Sequence, residues 1–294
     1  MNRYFAYGSN LNHGDLDRWC QRTGRLFPLT GTWIPAYLPD HDIVFDYISE
    51  SRHGGVLDVR PRVGQLVPGA LFTVTEEDLE TLDLKEGVPH FYRREEKRVL
   101  VADGRDVAAV TYEVVPENRS PAPVRPSDAY VALVAEGLAA FGQSDRVLRA
   151  AARSEETPCL VTDLFVYGTL LTGGSRHADL ETGGGVTGVV RATASGHLLD
   201  CGPFAGMLPG PGGTVHGEIV GLHDPGTAFP HLDGVRGFEG FDAARALFRR
   251  ALITARTGEG ARRLAWTYLW AGNANHPRIP SGDWAMWEAS RSQG

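Results

Sequence analysis

The sequence predicts an α+β chain folded as a tandem of two small mixed β-barrels with short helices. Three observations carry this. First, a phrase occurs twice: "YFAYGSNL" (Tyr4 to Leu11) and "LFVYGTLL" (Leu164 to Leu171) each run from apolar residues through Tyr-Gly to a small hydroxyl residue. Second, further pairs follow in the same order: "VPGALFTV" (Val67 to Val74) with "VHGEIVGL" (Val215 to Leu222), and Leu82-Asp83 with Leu232-Asp233. "FYRREEKRVLV" (from Phe91) pairs with "LFRRALITA" (from Leu247), and "AVTYEV" (from Ala109) with "AWTYLW" (from Ala265). The offsets drift only from 167 − 7 = 160 to 215 − 67 = 148 and 265 − 109 = 156. Such ordered self-similarity marks an internal repeat. Third, the segments between these marks mix alternating and short apolar runs, broken by Gly, Pro and Asp, as strands joined by turns do.

In chain order, an apolar strand enters Tyr7-Gly8 and turns, and "DLDRWC" (Asp15 to Cys20) suggests a short helix. "IVFDYI" (from Ile43), "GALFTV" (from Gly69), "REEKRVLV" (from Arg94) and "VAAVTYEV" (from Val107) read as strands. "TEEDLETLDL" starts with Thr75 as N-cap and acidic residues in the first turn, which places a helix before Lys85-Glu86-Gly87. Helical periodicity over "PSDAYVALVAEGLAAFGQSDRVLRAAA" (Pro126 to Ala152) puts Tyr130, Leu133, Val134, Leu138 and Phe141 on one side. A polar, proline-containing linker lies near Ser154 to Thr162. The expected organisation is a first domain over 1–153, a second over 162–275 and a C-terminal tail over 276–294. About six strands and two helices per copy suit a barrel able to hold one small ligand at its mouth.

Composition narrows the function. The 294 residues are 42% hydrophobic and 22% charged, enough for a real core. A net charge of -7 argues against nucleic-acid and membrane-surface partners, which call for a basic field. The start "MNRYFAYGSN" has no signal-peptide pattern, and no apolar run approaches a membrane span. Three cysteines without C-x-x-C, and ten histidines without H-E-x-x-H, suggest neither a metal site nor a disulfide framework. A reducing cytoplasm is the expected location.

The loop chemistry is informative. Glycine permits close approach of the backbone, and amides at a turn into a helix converge on negative charge. Gly8, Ser9, Asn10 and Leu11 can therefore cradle a carboxylate or a developing oxyanion. A plain turn capped by Ser9 or Asn10 remains the simpler reading. The loop is neither a P-loop nor the G-x-S-x-G of an α/β-hydrolase.

"YFAYGSNL", "LD-x-x-EG" (Leu82 to Gly87), "FYRR" and "PSDAY" together resemble the gamma-glutamylcyclotransferase family. The second copy, with "LFVYGTLL", "GHLLDCGPFAGMLPG" and "VHGEI", is similar to the gamma-glutamylamine cyclotransferase branch. The resemblance implies release of an amine from a small gamma-glutamyl substrate with formation of 5-oxoproline. It matches Glu86 to the family's catalytic glutamate and Tyr130 to a substrate-contacting tyrosine. Tyr7 is expected in the barrel wall with its hydroxyl offered to the cavity. The chemistry agrees with the residues: ring closure by the substrate's own α-amine is intramolecular, and one carboxylate can make both proton transfers. No cofactor or metal is expected. A non-catalytic gamma-glutamyl-binding tandem barrel, or an amidohydrolase giving glutamate, stays open.

In the second copy the matching loop is Tyr167, Gly168, Thr169 and Leu170, with Leu170 in place of Asn10. The Leu-Asp offset puts Arg236 at the glutamate position (86 + 150 = 236), whereas a three-residue insertion puts Glu239 there (86 + 153 = 239). The second copy is therefore either a second active site using Glu239 or a degenerate copy.

Overall fold

The computed structural model describes residues 1–182, 184–243 and 245–291. The chain divides into two compact units, Met1–Leu100 with Val107–Leu160, and Val101–Asp106 with Val161–Gly294.

The first unit is a closed barrel. Its strands are β1 (Asn2–Ala6), β2 (Trp33–Ser49), β3 (Gly54–Val74), β4 (Tyr92–Leu100) and β5 (Asp106–Val114), in the order β1-β3-β2-β4-β5. β1 runs antiparallel to β3 and closes the barrel by pairing parallel to β5, Tyr4 opposite Val110. Phe5, Leu38, Ile43, Leu71, Phe72 and Val99 fill the core. The hairpin strands β2 and β3 are much longer than the sequence suggested. Pro35, Pro39, Pro61 and Pro68 all lie inside them, and proline usually ends a strand. Here the register shifts between Pro39 and His41 and between Phe45 and Tyr47, and the ladder continues past each irregularity.

Four helices decorate this barrel. α1 (His13–Thr23) is capped by Asn12, whose side chain accepts from Asp15 N. α2 (Glu76–Glu86) opens with a reciprocal capping box between Thr75 and Asp78. It runs two residues further than "TEEDLETLDL" implies, so Glu86 is its last residue rather than part of the following loop. Gly87 makes the stop: its φ of 67° is left-handed, and its N–H bonds back to Asp83 O. The long helical stretch after β5 splits into α3 (Asp128–Ala140) and α4 (Arg146–Ala152). At the break, the side chain of Gln143 donates to Ala36 O and Gly69 O of the barrel.

The second unit repeats the plan. β6 (Asp163–Val166), β7 (Val186–Asp200), β8 (Ala205–Leu222), β9 (Phe248–Thr257) and β10 (Arg262–Trp270) form the ring β7-β8-β6-β10-β9, closed by pairing of β9 with β7. The closure motif recurs too: β6 runs parallel to β10, with Leu164 opposite Trp266. α5 (Ala178–Thr182) follows the Tyr-Gly loop, and α6 (Pro225–Arg236) corresponds to α2. The stretch read as a tail is built into this unit. β11 (Arg278–Ile279) pairs with β7, and α7 (Trp284–Arg291) buries Trp284 against the second core. Pro277 and Pro280 interrupt any periodic signal there, and residues 292–294 of the expected tail lie outside the described residues.

Candidate functional site

A cavity of about 780 Å³ opens in the first unit beside the Tyr-Gly loop. Tyr7, Gly8, Ser9 and Asn10 line one wall, Glu86 with Lys85 another, and Tyr130 a third. Three chain segments distant in sequence thus meet where the repeated phrase predicted a site.

The loop forms a single 3-10 turn over Ser9–Leu11. Its N–H groups divide. Leu11 N donates to Gly8 O at 3.1 Å, and Asn12 N to Ser9 O at 3.0 Å. Ser9 and Asn10 N–H make no such bond, and both residues line the cavity. Leu11 was expected in the cradle. Instead it is 1% exposed, lies in the core and does not reach the cavity, because the turn needs its amide. The loop is pressed against α3 at Gly137, where an added Cβ would fall 2.7 Å from Leu11 Cβ. A side chain at that position would displace the turn.

Asn10 organises the floor. Its Nδ2 donates to Glu86 Oε1 at 2.8 Å and to Tyr4 Oη at 2.8 Å, while its Oδ1 is buried without a partner. The Glu86 side chain keeps 16% of its surface exposed, so the carboxylate is held yet reachable. Lys85 was expected beyond the end of the helix. Its side chain is 7% exposed, with Nζ 3.4 Å from Ser9 Oγ and 3.9 Å from Glu86 Oε1. Burial holds its ammonium below the ordinary lysine range, and the charge of Glu86 only partly offsets this.

The remaining polar groups are mostly committed. Arg52, from the β2–β3 turn, forks onto Asp15 of α1 at 3.1 and 2.5 Å. Its guanidinium carbon lies 5.7 Å over the Tyr130 ring. Asp15 stays below the usual carboxylate range because Arg52 outweighs the opposing effect of burial. Tyr130 Oη accepts from Leu57 N at 3.5 Å, and burial pushes its hydroxyl up to about 12. Tyr7 lines the wall as expected, but its hydroxyl donates to Tyr112 O at 2.7 Å instead of pointing free. Tyr112 in turn donates to Asp83 Oδ1 at 2.8 Å, and Arg94 Nε to the same oxygen at 2.6 Å. Tyr92, at the start of β4, also borders the cavity and donates to Leu57 O at 2.9 Å.

The second unit copies this scaffold but not the floor. Tyr167 donates to Tyr268 O as Tyr7 does to Tyr112 O. Tyr268 donates to Asp233 Oδ1 at 2.6 Å, and Arg250 Nε lies 3.5 Å from that oxygen. At the end of α6, followed by left-handed Gly237, stands Arg236, just as Glu86 ends α2 before Gly87. Of the two alignments left open by the sequence, this geometry follows the one without an insertion. Glu239 lies beyond the helix and is exposed. Gly168, Thr169 and Leu170 form a buried 3-10 turn, and Leu171 N closes onto Gly168 O at 3.1 Å.

Among the described residues, no group of three or more His, Cys, Asp or Glu could hold a metal ion, and no helix is long and apolar enough to cross a membrane.

Comparison with known proteins places the chain. The family model described as "Gamma-glutamyl cyclotransferase, AIG2-like" matches twice, over residues 4–132 and 164–286. No curated protein sequence matches. Among solved structures, one titled gamma-glutamyl cyclotransferase is 23% identical, with a TM-score of 0.43, covering 53% of this chain and 89% of its own. YkqA from Bacillus subtilis is 15% identical, with a TM-score of 0.39, over 99% of this chain and 92% of its own. An AIG2-like protein from Mus musculus is 21% identical, with a TM-score of 0.33, over 42% and 88%. With both halves of its sequence matched, the chain belongs to the gamma-glutamyl cyclotransferase, AIG2-like family, and carries that family's domain twice.

Proposed function

We propose that the first unit releases an amine from a small gamma-glutamyl compound by cyclising the glutamyl group to 5-oxoproline, with Glu86 as general base and then general acid. The observation that carries this reading is the carboxylate of Glu86, held at 2.8 Å by Asn10 in a cavity that Ser9 and Asn10 also line, with no backbone hydrogen bond from either of their N–H groups.

In the reaction the substrate's α-nitrogen attacks its own γ-carbonyl carbon, and one proton of that amine passes to Glu86. The carbonyl oxygen gains the electron pair and is met by the N–H groups of Ser9 and Asn10, which are already in place. When the carbonyl reforms, the bond to the leaving nitrogen breaks and Glu86 returns its proton there. The carboxylate ends as it began, so a single group suffices. Holding the folded glutamyl chain supplies much of the rate, because both reacting atoms belong to one molecule.

Charge and hydrogen bonding assign the rest. The substrate's α-carboxylate needs a cation. Arg52 is committed to Asp15, whereas Lys85 Nζ faces the cavity with donors to spare, so Lys85 is the proposed carboxylate partner. Tyr130 remains protonated at neutral pH and, with Leu57 N already donating to its oxygen, has its proton available for substrate. In the second unit, Arg236 is no base, and Glu239 lies on an exposed stretch. The proposal therefore gives the second unit no proton shuttle.

The test is mass spectrometry of a panel of gamma-glutamyl amines and amino acids incubated with the full-length protein. Formation of 5-oxoproline supports the proposal. Glutamate as the sole product would identify hydrolysis by water and overturn the cyclisation step.

A further inference from the structure

Arg236 is a buried cation that no carboxylate of the second unit contacts as an ion pair among the described residues. It is 6% exposed, and its guanidinium carbon lies 5.2 Å over the Phe248 ring. Its Nε is buried without a hydrogen-bond partner, and among the described residues it forms no ion pair within 4.0 Å. A charge in such a place is strongly disfavoured unless something pairs with it. The Asp233 carboxylate nearby is held by Tyr268 and Arg250. Asp179 is shared between Arg176 at 3.5 Å and His231 at 3.2 Å.

The internal comparison indicates what the guanidinium faces. Its counterpart Glu86 occupies the same helix end and borders the ligand cavity of the first unit. The adjoining loop also keeps the cradle: Thr169 and Leu170 N–H form no backbone hydrogen bond, as with Ser9 and Asn10. Arg236 is close enough to Tyr167, which leads into that loop, for its charge to act on the tyrosine hydroxyl. The second copy has therefore kept the amides, lost the base and gained a fork-shaped donor.

We infer that the second unit binds a small monocarboxylate, with the Arg236 guanidinium forking onto its two oxygens beside the amides of Thr169 and Leu170. The guanidinium geometry suits a planar carboxylate. The local charge suits a monoanion: Arg236 and Arg176 against Asp179 leave one net positive charge. This goes beyond the cyclotransferase reading and does not depend on turnover in the first unit.

The test is a titration of full-length protein carrying Lys85→Met with ¹³C-labelled acetate, followed by NMR at constant ionic strength. The Lys85 substitution removes the cation that stands beside Glu86 in the first cavity. Saturable binding is expected, weakened at least about tenfold by adding Arg236→Met. Arg236→Lys should recover part of the affinity, and Arg236→Gln, which keeps hydrogen-bonding capacity, should lose it as Arg236→Met does. Near-ultraviolet circular dichroism reports whether each variant is folded, and Arg236→Gln serves if Arg236→Met is not. Absence of saturable binding, or equal acetate affinity with and without the arginine, would overturn the inference. Tighter binding of inorganic phosphate than of acetate would overturn the monocarboxylate assignment.

Discussion

Replacing Asn10 by leucine would give the first loop the side chain that the second carries at Leu170. The substitution removes two donated bonds, at 2.8 Å to Glu86 Oε1 and 2.8 Å to Tyr4 Oη. It also removes Asn10 Oδ1, which is buried without a partner. A hydrogen bond to a charged group contributes about 1.5–3 kcal/mol and a neutral one about 1 kcal/mol, whereas a buried unsatisfied acceptor costs about 1–3 kcal/mol. These effects partly cancel for folding: the net is a loss of stability centred near about 1 kcal/mol, within a range of about −0.5 to 3 kcal/mol. They do not cancel for catalysis. Glu86 loses the donor that aims it, and a deficit of 1.5–3 kcal/mol at the transition state lowers kcat/KM roughly 10- to 150-fold. Steady-state kinetics on whichever gamma-glutamyl substrate the protein accepts, together with urea unfolding, measure the two quantities separately. Unchanged kcat/KM in Asn10→Leu would refute the positioning of Glu86 by Asn10.

Other predictions follow from the same geometry. In the folded protein the Lys85 ammonium loses its proton at a lower pH than in the unfolded chain, so the unfolded state binds more protons in the window just below the ordinary lysine value of 10.5. Wild-type stability should therefore rise with pH in that window, Lys85→Met should lack the rise, and the wild-type KM for substrate should climb as the cation is lost. Gly137→Ala should push on Leu11 and cost about 1–3 kcal/mol by overpacking, with kcat/KM falling because the turn carrying Ser9 and Asn10 moves. Equal stability by calorimetry would show that α3 simply yields. Thr75→Ala removes the α2 capping box on an exposed helix start, so about 1 kcal/mol of stability should be lost with kcat/KM unchanged at temperatures where the variant is folded.

The repeat was legible because its marks are structural. Tyr7 and Tyr167 both donate to a carbonyl of the Thr-Tyr strand, and the Leu-Asp, Arg-Arg and Thr-Tyr pairs supply the Asp83–Arg94–Tyr112 cluster and its copy at Asp233, Arg250 and Tyr268. Groups that repeat with fixed offsets in a sequence also meet with fixed geometry in the fold. The site was legible only in part. Arg52 reaches the cavity from a hairpin turn whose length was hidden by prolines inside β2 and β3. Lys85 was not legible as a site residue because the helix was expected to end before it; two further helical residues carry it inward. Leu11 looked like part of the cradle because the turn's own hydrogen bonding is not written in residue types. The choice between Arg236 and Glu239 needed the position of Gly237 relative to the end of α6, which an uncertain insertion obscured.

The central claim is that Glu86 performs both proton transfers of a cyclisation in the first unit. The most direct measurement is the rate of 5-oxoproline formation by the full-length protein and by Glu86→Gln, read by mass on the same substrate. The amide retains the volume and can still accept from Asn10, although Lys85 loses its nearest carboxylate. The account predicts a folded variant with kcat lowered at least about 10²- to 10⁴-fold, as for a positioned acid–base group. Turnover near the wild-type rate in folded Glu86→Gln would contradict it.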